Sequence, residues 1–444
     1  MSSLGQDRDN DQMQPRKAPA VHLGKDCALR LNAALSEIYS ACHINDFSTA
    51  VVKHGKQLRI VADRAMFLQK AAADFQLRFV ASFEEDIRAG QSWGYAKTCN
   101  AVSWEVAGQP GIEACKALAA RVSRLDNDLI RKMEVKALSL LASSFGRRSW
   151  IAECRGGTIR IAEFFLDERG TVQRLNSQHL SLLMNGFSKW PQEPTSRKAA
   201  ASIANEVIRR GCRRARLSDF SPQGLSTLVN GFSRWDGEER ACKAIVAVAG
   251  EVRRRADRAD IGLSEFVPQG LAALVNGFRK SPEQKDCRQA TVAIAGEVLS
   301  RDGQLSRFVP QELANLLNGF SRWPEEPPCH KAAIAIARQV LSRGDHIVCF
   351  NPHDLAKLVN GFSKWPEETA SRQAIGAIAN EVLCRVSRLS QFAEQDLSNL
   401  VDGFSKWPGD AVCCQATMVI AAELVRSADR LSDAAGTCKS GERV

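Results

Sequence analysis

The sequence predicts an all-α protein, a right-handed α-solenoid of stacked helical hairpins. Three observations carry this prediction: a motif recurs along the chain, its copies are evenly spaced, and the apolar residues of each copy fall on one face of a helix. The chain has 444 residues, more than the roughly 250–300 residues that one hydrophobic core usually supports. An elongated stack of repeats satisfies that bound.

The motif reads L-x-x-L-[VL]-N-G-F-S-[KR]-W-P, and its clear copies lie within residues 171–432. Its central positions are 45, 46, 42, 42 and 42 residues apart, a period of about 42–46 residues that is typical of HEAT-like and armadillo-like repeats. Degenerate copies centred on Asn100 and Ser143 extend the array through residues 91–170. The central positions of the clear copies are Asn185, Asn230, Asn276, Asn318, Asn360 and Asp402.

Each repeat is expected to hold two helices, which we call B and A in chain order. Helix B begins at Pro-Gln, because proline needs no N–H donor in the first turn, and Asn351 before Pro352 is a ready N-cap. We expect helix B to run through the motif until the closing proline stops it. Helix A is rich in alanine and ends in a basic residue such as Arg343, which suits the helix dipole.

The apolar motif residues are predicted to form the core. At about 100° per residue, the Leu five before the Asn, the Leu two before it and the Phe two after it lie on one side of helix B. In one repeat these are Leu313, Leu316 and Phe320, and Trp323 falls on the same side. Glycine after the Asn costs about 1 kcal/mol in a helix interior, so its recurrence predicts close helix approach or a local kink.

The opposite face of helix B carries three polar columns, which we call the ladder. The Gln column lies seven residues before the motif Asn, the Asn column is the motif position itself, and the basic column lies four residues after it. The ladder is predicted to bind a partner, against the alternative that each Asn caps a neighbouring backbone group. The Gln column is Gln178, Gln223, Gln269, Gln311 and Gln395, with His353 as a deviation. The Asn column is Asn185, Asn230, Asn276, Asn318 and Asn360, with Asp402 as a deviation. The basic column is Lys189, Arg234, Lys280, Arg322, Lys364 and Lys406.

Composition narrows the function. A formal charge of +10 favours anionic partners. The cysteines and histidines lack metal-ligand spacing, and recurring cysteines such as Cys287 and Cys329 are predicted to be reduced, structural thiols. We find no motif of a nucleophile, phosphate-binding loop or metalloprotease, so the sequence predicts a binding protein, with no enzymatic activity, cofactor or small-molecule substrate. No membrane span is expected.

The two ends are expected to differ from the array. Residues 1–20 are polar and predict a disordered leader, and residues 21–90 predict a helical region that caps the stack. Residues 433–444 are expected to be a disordered tail, where the loop toward a further repeat begins without reaching its helix B. A truncated array would end in this way.

The F-S-K-W-P signature, across residues 130–430, resembles the SKWP-repeat family of type III secreted effectors of plant-pathogenic bacteria. The resemblance implies export into a host plant cell, with residues 1–20 as the export signal, although members of that family are usually far longer. A weaker resemblance, in the P-Q-x-L-A-x-L-L opening at residues 310–317, is to the octotricopeptide and RAP-associated repeats of organellar RNA-binding proteins. Those repeats usually carry Trp-Ala where this chain has Asn-Gly.

Two partners are compatible with the ladder. The first is a host protein, whose extended acidic segment would be bound by the Asn and basic columns. The alternative is single-stranded RNA, read by the amides and followed by the cations. The sequence favours the protein, because the motif aromatics face the core and RNA binding calls for exposed stacking aromatics.

Overall fold

The computed structural model describes residues 20–58, 61–167, 171–212, 217–235, 237–258 and 262–440, and within these ranges its regular elements are helices. Residues 1–19 of the predicted leader and residues 441–444 lie outside them. The first part contains α1 (Ala20–Ser40), α2 (Ile44–Gln57), α3 (Val61–Arg78), α4 (Phe83–Arg88), α5 (Ser92–Val102), α6 (Gly108–Val122), α7 (Asn127–Lys132), α8 (Val135–Arg147), α9 (Ala152–Asp167) and α10 (Thr171–Arg174).

The clear repeats follow as alternating B and A helices. Each B helix is 11 residues long, and short 3-10 helices precede the last three of them. The helices are α11 (Ser177–Phe187), α12 (Pro194–Cys212), α13 (Pro222–Phe232), α14 (Glu239–Ala256), α15 (Pro268–Phe278), α16 (Lys285–Ser300), α17 (Pro310–Phe320), α18 (Pro327–Ser342), α19 (Pro352–Phe362), α20 (Thr369–Cys384), α21 (Glu394–Phe404) and α22 (Ala411–Ser440).

These helices form two layers, which confirms the predicted all-α helical-repeat solenoid. The B layer is the stack α2, α5, α8, α11, α13, α15, α17, α19 and α21, in which each helix packs against the next. The A layer is a second stack beside the first, made of α3, α6, α9, α12, α14, α16, α18, α20 and α22. The stack therefore continues upstream of the recognisable motif, and α1 lies against α2 and α3 at its start.

The B helices begin as predicted and end earlier than predicted. Pro222, Pro268, Pro310 and Pro352 each occupy the first turn, and the Asn351 side chain accepts a hydrogen bond from the Asp354 N–H at 2.8 Å. The expectation that helix B continues to the closing proline was wrong, because the clear copies all end at the motif Phe. The next residue is usually Ser, and its hydroxyl donates to the carbonyl of the motif Asn, as from Ser363 to Asn360 at 2.7 Å.

The motif tryptophans consequently reach the core from a turn rather than from a helix face. Trp323 is buried, and its indole N–H donates to the Pro282 carbonyl of the preceding repeat at 3.2 Å. Trp365 and Trp407 make the same bond one and two repeats later. Burying an indole normally requires such a partner, so this residue joins successive hairpins through both packing and a hydrogen bond.

The motif glycine lies where two B helices approach each other closely, as predicted. A Cβ added to Gly186 would be 2.5 Å from the Ala142 carbonyl oxygen on α8, and one added to Gly361 would be 2.6 Å from Leu317 Cγ on α17. Real Cβ atoms are not found at such distances. Glycine is therefore needed for the spacing of the B layer, at the expense of helix propensity.

An arginine closes most of the clear hairpins, in an arrangement that we call the loop clasp. Arg385, at the end of α20, is held by the Glu381 carboxylate at 2.5 Å and donates to the Phe350 carbonyl, just before α19, at 2.9 Å. The same clasp recurs at Arg210, Arg255 and Arg301. Arg343 has Gln339 in place of the carboxylate, and its buried Nε has no hydrogen-bond partner in the described part of the chain.

The recurring cysteines pack inside the A layer. Cys287, Cys329 and Cys413 are buried, and burial raises the pKa of each thiol to about 12. Their thiols are therefore protonated and poor nucleophiles at neutral pH. They fill the space of small apolar side chains.

The last helix, α22, is longer than the sequence predicted, and one segment of it is apolar. It extends to Ser440, so residues 433–440 are helical where we expected a disordered tail. Its segment Ala411–Ala428 is also long and apolar enough, by length and composition, to cross a membrane, with a mean hydropathy of 1.3. In the array, α22 packs against α20 and α21 along one side.

Candidate functional site

On each B helix the three ladder residues lie on one side, and successive B helices place these sides next to one another. We call the resulting surface the stripe. Its columns are separated by seven and then four residues, a spacing that places side chains along one side of an α-helix. The Gln column is exposed at Gln178, Gln223, Gln269, Gln311 and Gln395. The basic column is exposed at Arg234, Lys280, Arg322, Lys364 and Lys406, and Lys189 is half-buried.

The Asn column lies deeper than its neighbours. Asn185, Asn230, Asn276 and Asn360 are half-buried, and Asn318 is 7% exposed. This depth follows from its position beside the glycine that brings neighbouring B helices together. The amides therefore line the floor of the stripe, with longer side chains on either side.

Two of the amides are engaged within the array. The Asn185 amide donates to the Ser143 hydroxyl of the preceding hairpin at 3.0 Å, and the Asn276 oxygen accepts from Arg279 at 2.9 Å. The side chains of Asn230, Asn318 and Asn360 make no hydrogen bond to any residue in the described part of the chain. Those three amides can offer a donor and an acceptor to a partner.

Several cations of the basic column have no acidic partner in the described part of the chain. Arg234, Arg322 and Lys364 form no ion pair within the described ranges, and Lys406 lies 3.5 Å from Asp402. Burial, followed by the charges of Arg234 and Arg147, lowers the pKa of Lys189. Lys280 donates to the Ser233 carbonyl at 2.5 Å. Positive charge therefore accumulates along this column. The cations repel one another, and an anionic partner would reduce that repulsion.

The A layer behaves differently, because its surface cations pair across hairpins. Arg155 lies 2.6 Å from Glu193, Arg288 lies 2.5 Å from Glu326, and Arg253 lies 3.3 Å from Asp286. These contacts connect neighbouring A helices. Exposed cations without an ion pair in the described ranges remain on both layers, and the ladder differs in aligning its own in one column beside amides.

Two tryptophans continue the ladder toward the N-terminus, a role that was not predicted from the sequence. Counted from Asn100, Trp93 stands in the Gln column and Trp104 in the basic column. Each faces a cation of the next hairpin: Lys136 Nζ is 4.9 Å from the Trp93 ring centre, and Arg147 Cζ is 4.4 Å from that of Trp104. Trp104 is 52% exposed. The motif spacing, applied to the degenerate copies, would have found both.

A further column lies in the middle of the stripe, three residues before the motif position. We call it the central column, and all of its side chains are half-buried. The repeat pattern does not single it out, because its residues differ from repeat to repeat. They are Lys97, Leu140, Leu182, Thr227, Ala273, Asn315, Lys357 and Asn399.

The Gln-column deviation at His353 has its own contact. Its Nδ1 lies 2.8 Å from a carboxylate oxygen of Asp396, which is buried at the start of α21. This contact joins α19 to α21 at the edge of the stripe. His353 is therefore occupied within the array, as is Gln395, whose amide donates to the Asn399 side-chain oxygen at 3.2 Å.

Among the described residues, no group of three His, Cys, Asp or Glu side chains is arranged to hold a metal ion. Comparison of the chain with protein-family models and with curated proteins gives no match.

Proposed function

We propose that this chain is a type III effector-like scaffold that binds an extended acidic segment of a host-cell protein along the ladder. The main support is three cations of the basic column, Arg234, Arg322 and Lys364, which form no ion pair in the described ranges. They lie beside the amides of Asn230, Asn318 and Asn360. Cations attract carboxylates, and free amides can bond the backbone of an extended chain. The SKWP resemblance and the polar character of residues 1–20 support delivery into a plant cell through a type III system.

Single-stranded RNA is the second candidate, and one observation favours it. Trp93 and Trp104 place aromatic rings on the columns of the ladder, and Trp104 is exposed. Bases stack on exposed aromatic side chains, and cations follow the phosphates. These two residues weaken the sequence-based preference for a protein partner, which rested on the lack of such aromatics.

The test removes the exposed cations of the ladder. Arg234, Arg322, Lys364 and Lys406 are changed together to Ala, and Lys189 is kept because its stem packs 3.2 Å from the Cβ position of Gly146. The control variant changes Lys198, Lys331, Arg338 and Arg372 to Ala, which are exposed on the A layer and carry the same total charge. Both variants should keep the helical circular dichroism signal and melting temperature of the natural sequence.

Binding is measured by capture of partners from plant extract, with and without nuclease, followed by direct titration of the captured species. We expect the ladder variant to lose capture and the control variant to keep it, whether or not nuclease is present. Equal capture by both variants would show that the ladder is not the site. Capture that disappears on nuclease treatment would replace the protein partner with RNA.

A further inference from the structure

The central column combines two properties that its neighbours do not share. The Gln, Asn and basic columns are nearly constant over the clear repeats, whereas the central column holds a different side chain in almost every one. It nevertheless lies between the Gln and Asn columns on the same helix face. Any ligand that touches both constant columns must also pass over the variable one.

Contacts between hairpins place this column on the ladder side. Lys357 Nζ donates to the Asn315 side-chain oxygen of the preceding hairpin at 2.9 Å. Lys97 donates to Thr49, which precedes it by one hairpin, at 3.3 Å. Asn315 and Lys357 therefore face the same surface, and these two are close enough to act on one ligand.

The column changes character along the array. Leu182, Thr227 and Ala273 are apolar or small, and Leu182 and Ala273 are half-buried without packing against the hydrophobic core. Asn315, Lys357 and Asn399 are polar. The stripe is thus apolar at its centre over α11–α15 and polar over α17–α21.

We propose that the central column determines which protein segment the ladder accepts. This inference rests on the proposed function and deepens it. The constant columns hold the backbone and acidic groups of an extended segment, and the central column selects its side chains. The preferred segment carries apolar side chains over α11–α15 and an acidic side chain over Lys357 on α19.

The size of such a segment follows from helix spacing. Neighbouring helices are roughly 9 Å apart, and an extended chain advances about 3.3 Å per residue. About eleven residues therefore cross the B layer from α11 to α19. An aliphatic side chain such as Leu182 offers no hydrogen bond to a base edge, which favours a peptide over RNA at this part of the stripe.

The experiment selects ligands from a display library of random 16-residue peptides, using the full chain. The selecting proteins are the natural sequence, Leu182→Arg and Lys357→Leu. The controls are Gln373→Arg and Arg338→Leu, which introduce the same residues at exposed positions on the A layer. Melting temperatures of all five proteins establish that each is folded.

We expect the natural sequence to enrich peptides with an apolar stretch followed by an acidic residue. Leu182→Arg should shift the apolar position toward acidic residues, and Lys357→Leu should remove the acidic preference. Titration of the consensus peptide should show about tenfold weaker binding to Leu182→Arg, because an apolar contact is lost. The control variants should keep the natural consensus.

Two results would overturn the inference in different ways. If peptides are enriched but the consensus is unchanged by both central-column variants, the column does not select side chains and the proposed function stands. If no peptide is enriched while labelled single-stranded poly(U) binds, the peptide-binding function itself fails and the inference fails with it.

Discussion

At the residue scale, small changes in side-chain volume decide how closely the repeats stack. The glycine after the motif Asn is surrounded by atoms of the preceding B helix, whereas some glycines of the A helices have open space around them. Gly296 on α16 is one of these, with nothing within 4 Å of an added Cβ. Substitution by alanine is therefore expected to change the free energy of unfolding in opposite directions at the two kinds of glycine.

We predict that Gly186→Ala lowers the free energy of unfolding by about 1–3 kcal/mol, as overpacking does. The added methyl group would meet the carbonyl of Ala142, and a backbone group cannot turn aside as a side chain can. Gly296→Ala should instead raise stability by about 0.5–1 kcal/mol, because Ala has the higher helix propensity. Urea unfolding of both variants tests this. A stable Gly186→Ala protein would show that the B layer can widen freely.

At the scale of the element, the loop clasp connects most A helices of the clear repeats to the loop before the preceding B helix. Glu206 on α12 binds Arg209 at 2.7 Å and Arg210 at 2.6 Å, and Arg210 donates to the Leu175 carbonyl at 2.5 Å. Glu206 is buried, and burial alone would raise its pKa. The hydrogen bonds and charges of Arg209 and Arg210 outweigh burial and lower the pKa below its ordinary value.

This pKa shift predicts how stability depends on pH. A carboxylate whose pKa is lowered by folding contributes stability above its unfolded pKa of about 4.3 and loses that contribution as pH falls through the lower folded pKa. We expect Glu206→Gln to be less stable than the natural sequence at pH 6–7, with a difference that shrinks on acidification below about pH 4. Denaturant unfolding across this pH range measures it.

The exposed variant Glu367→Gln serves as the control and should follow the natural sequence at every pH, because Glu367 forms no ion pair in the described part of the chain. A difference between Glu206→Gln and the natural sequence that is independent of pH would contradict the role of ionisation. The clasp would then stabilise the protein without a contribution from the charge of Glu206.

At the scale of the whole molecule, each hairpin contacts mainly its immediate neighbours. Such an array is approximately one-dimensional, and its stability is the sum of the repeats and of the interfaces between them. The interfaces are also interchangeable. Val275 packs against Gly319, and Leu317 packs against Gly361, so that an aliphatic side chain meets a glycine in each.

Deletion of residues 310–351 should therefore leave a folded protein. The deletion removes 42 residues, one repeat, and joins Val309 to Pro352 so that α19 takes the place of α17. We expect a cooperative unfolding transition and a helical signal reduced in proportion to length. Deletion of residues 310–330 is the matched control, because it removes half a repeat and joins a loop to the interior of α18. If the protein that lacks the whole repeat is also unfolded, α17 and α18 stabilise more of the array than the hairpins they contact.

The sequence by itself determined the repeat, the helix starts, the apolar face and the position of the ladder, because these depend on spacings within one hairpin. Periodicity along a helix predicted that Phe320 is buried and that Gln311 is exposed, and the recurring glycine predicted close helix approach. These inferences need only the geometry of a single helix.

The tertiary structure decided what each side chain meets in the next hairpin. The amide of Asn185 reaches Ser143, Arg147 covers Trp104, and Arg385 reaches the Phe350 carbonyl, across separations of 42, 43 and 35 residues in the chain. A local pattern carries no information on such contacts, which arise only when hairpins stack. For the same reason, the central column was recognised as a surface only after stacking placed its variable residues side by side.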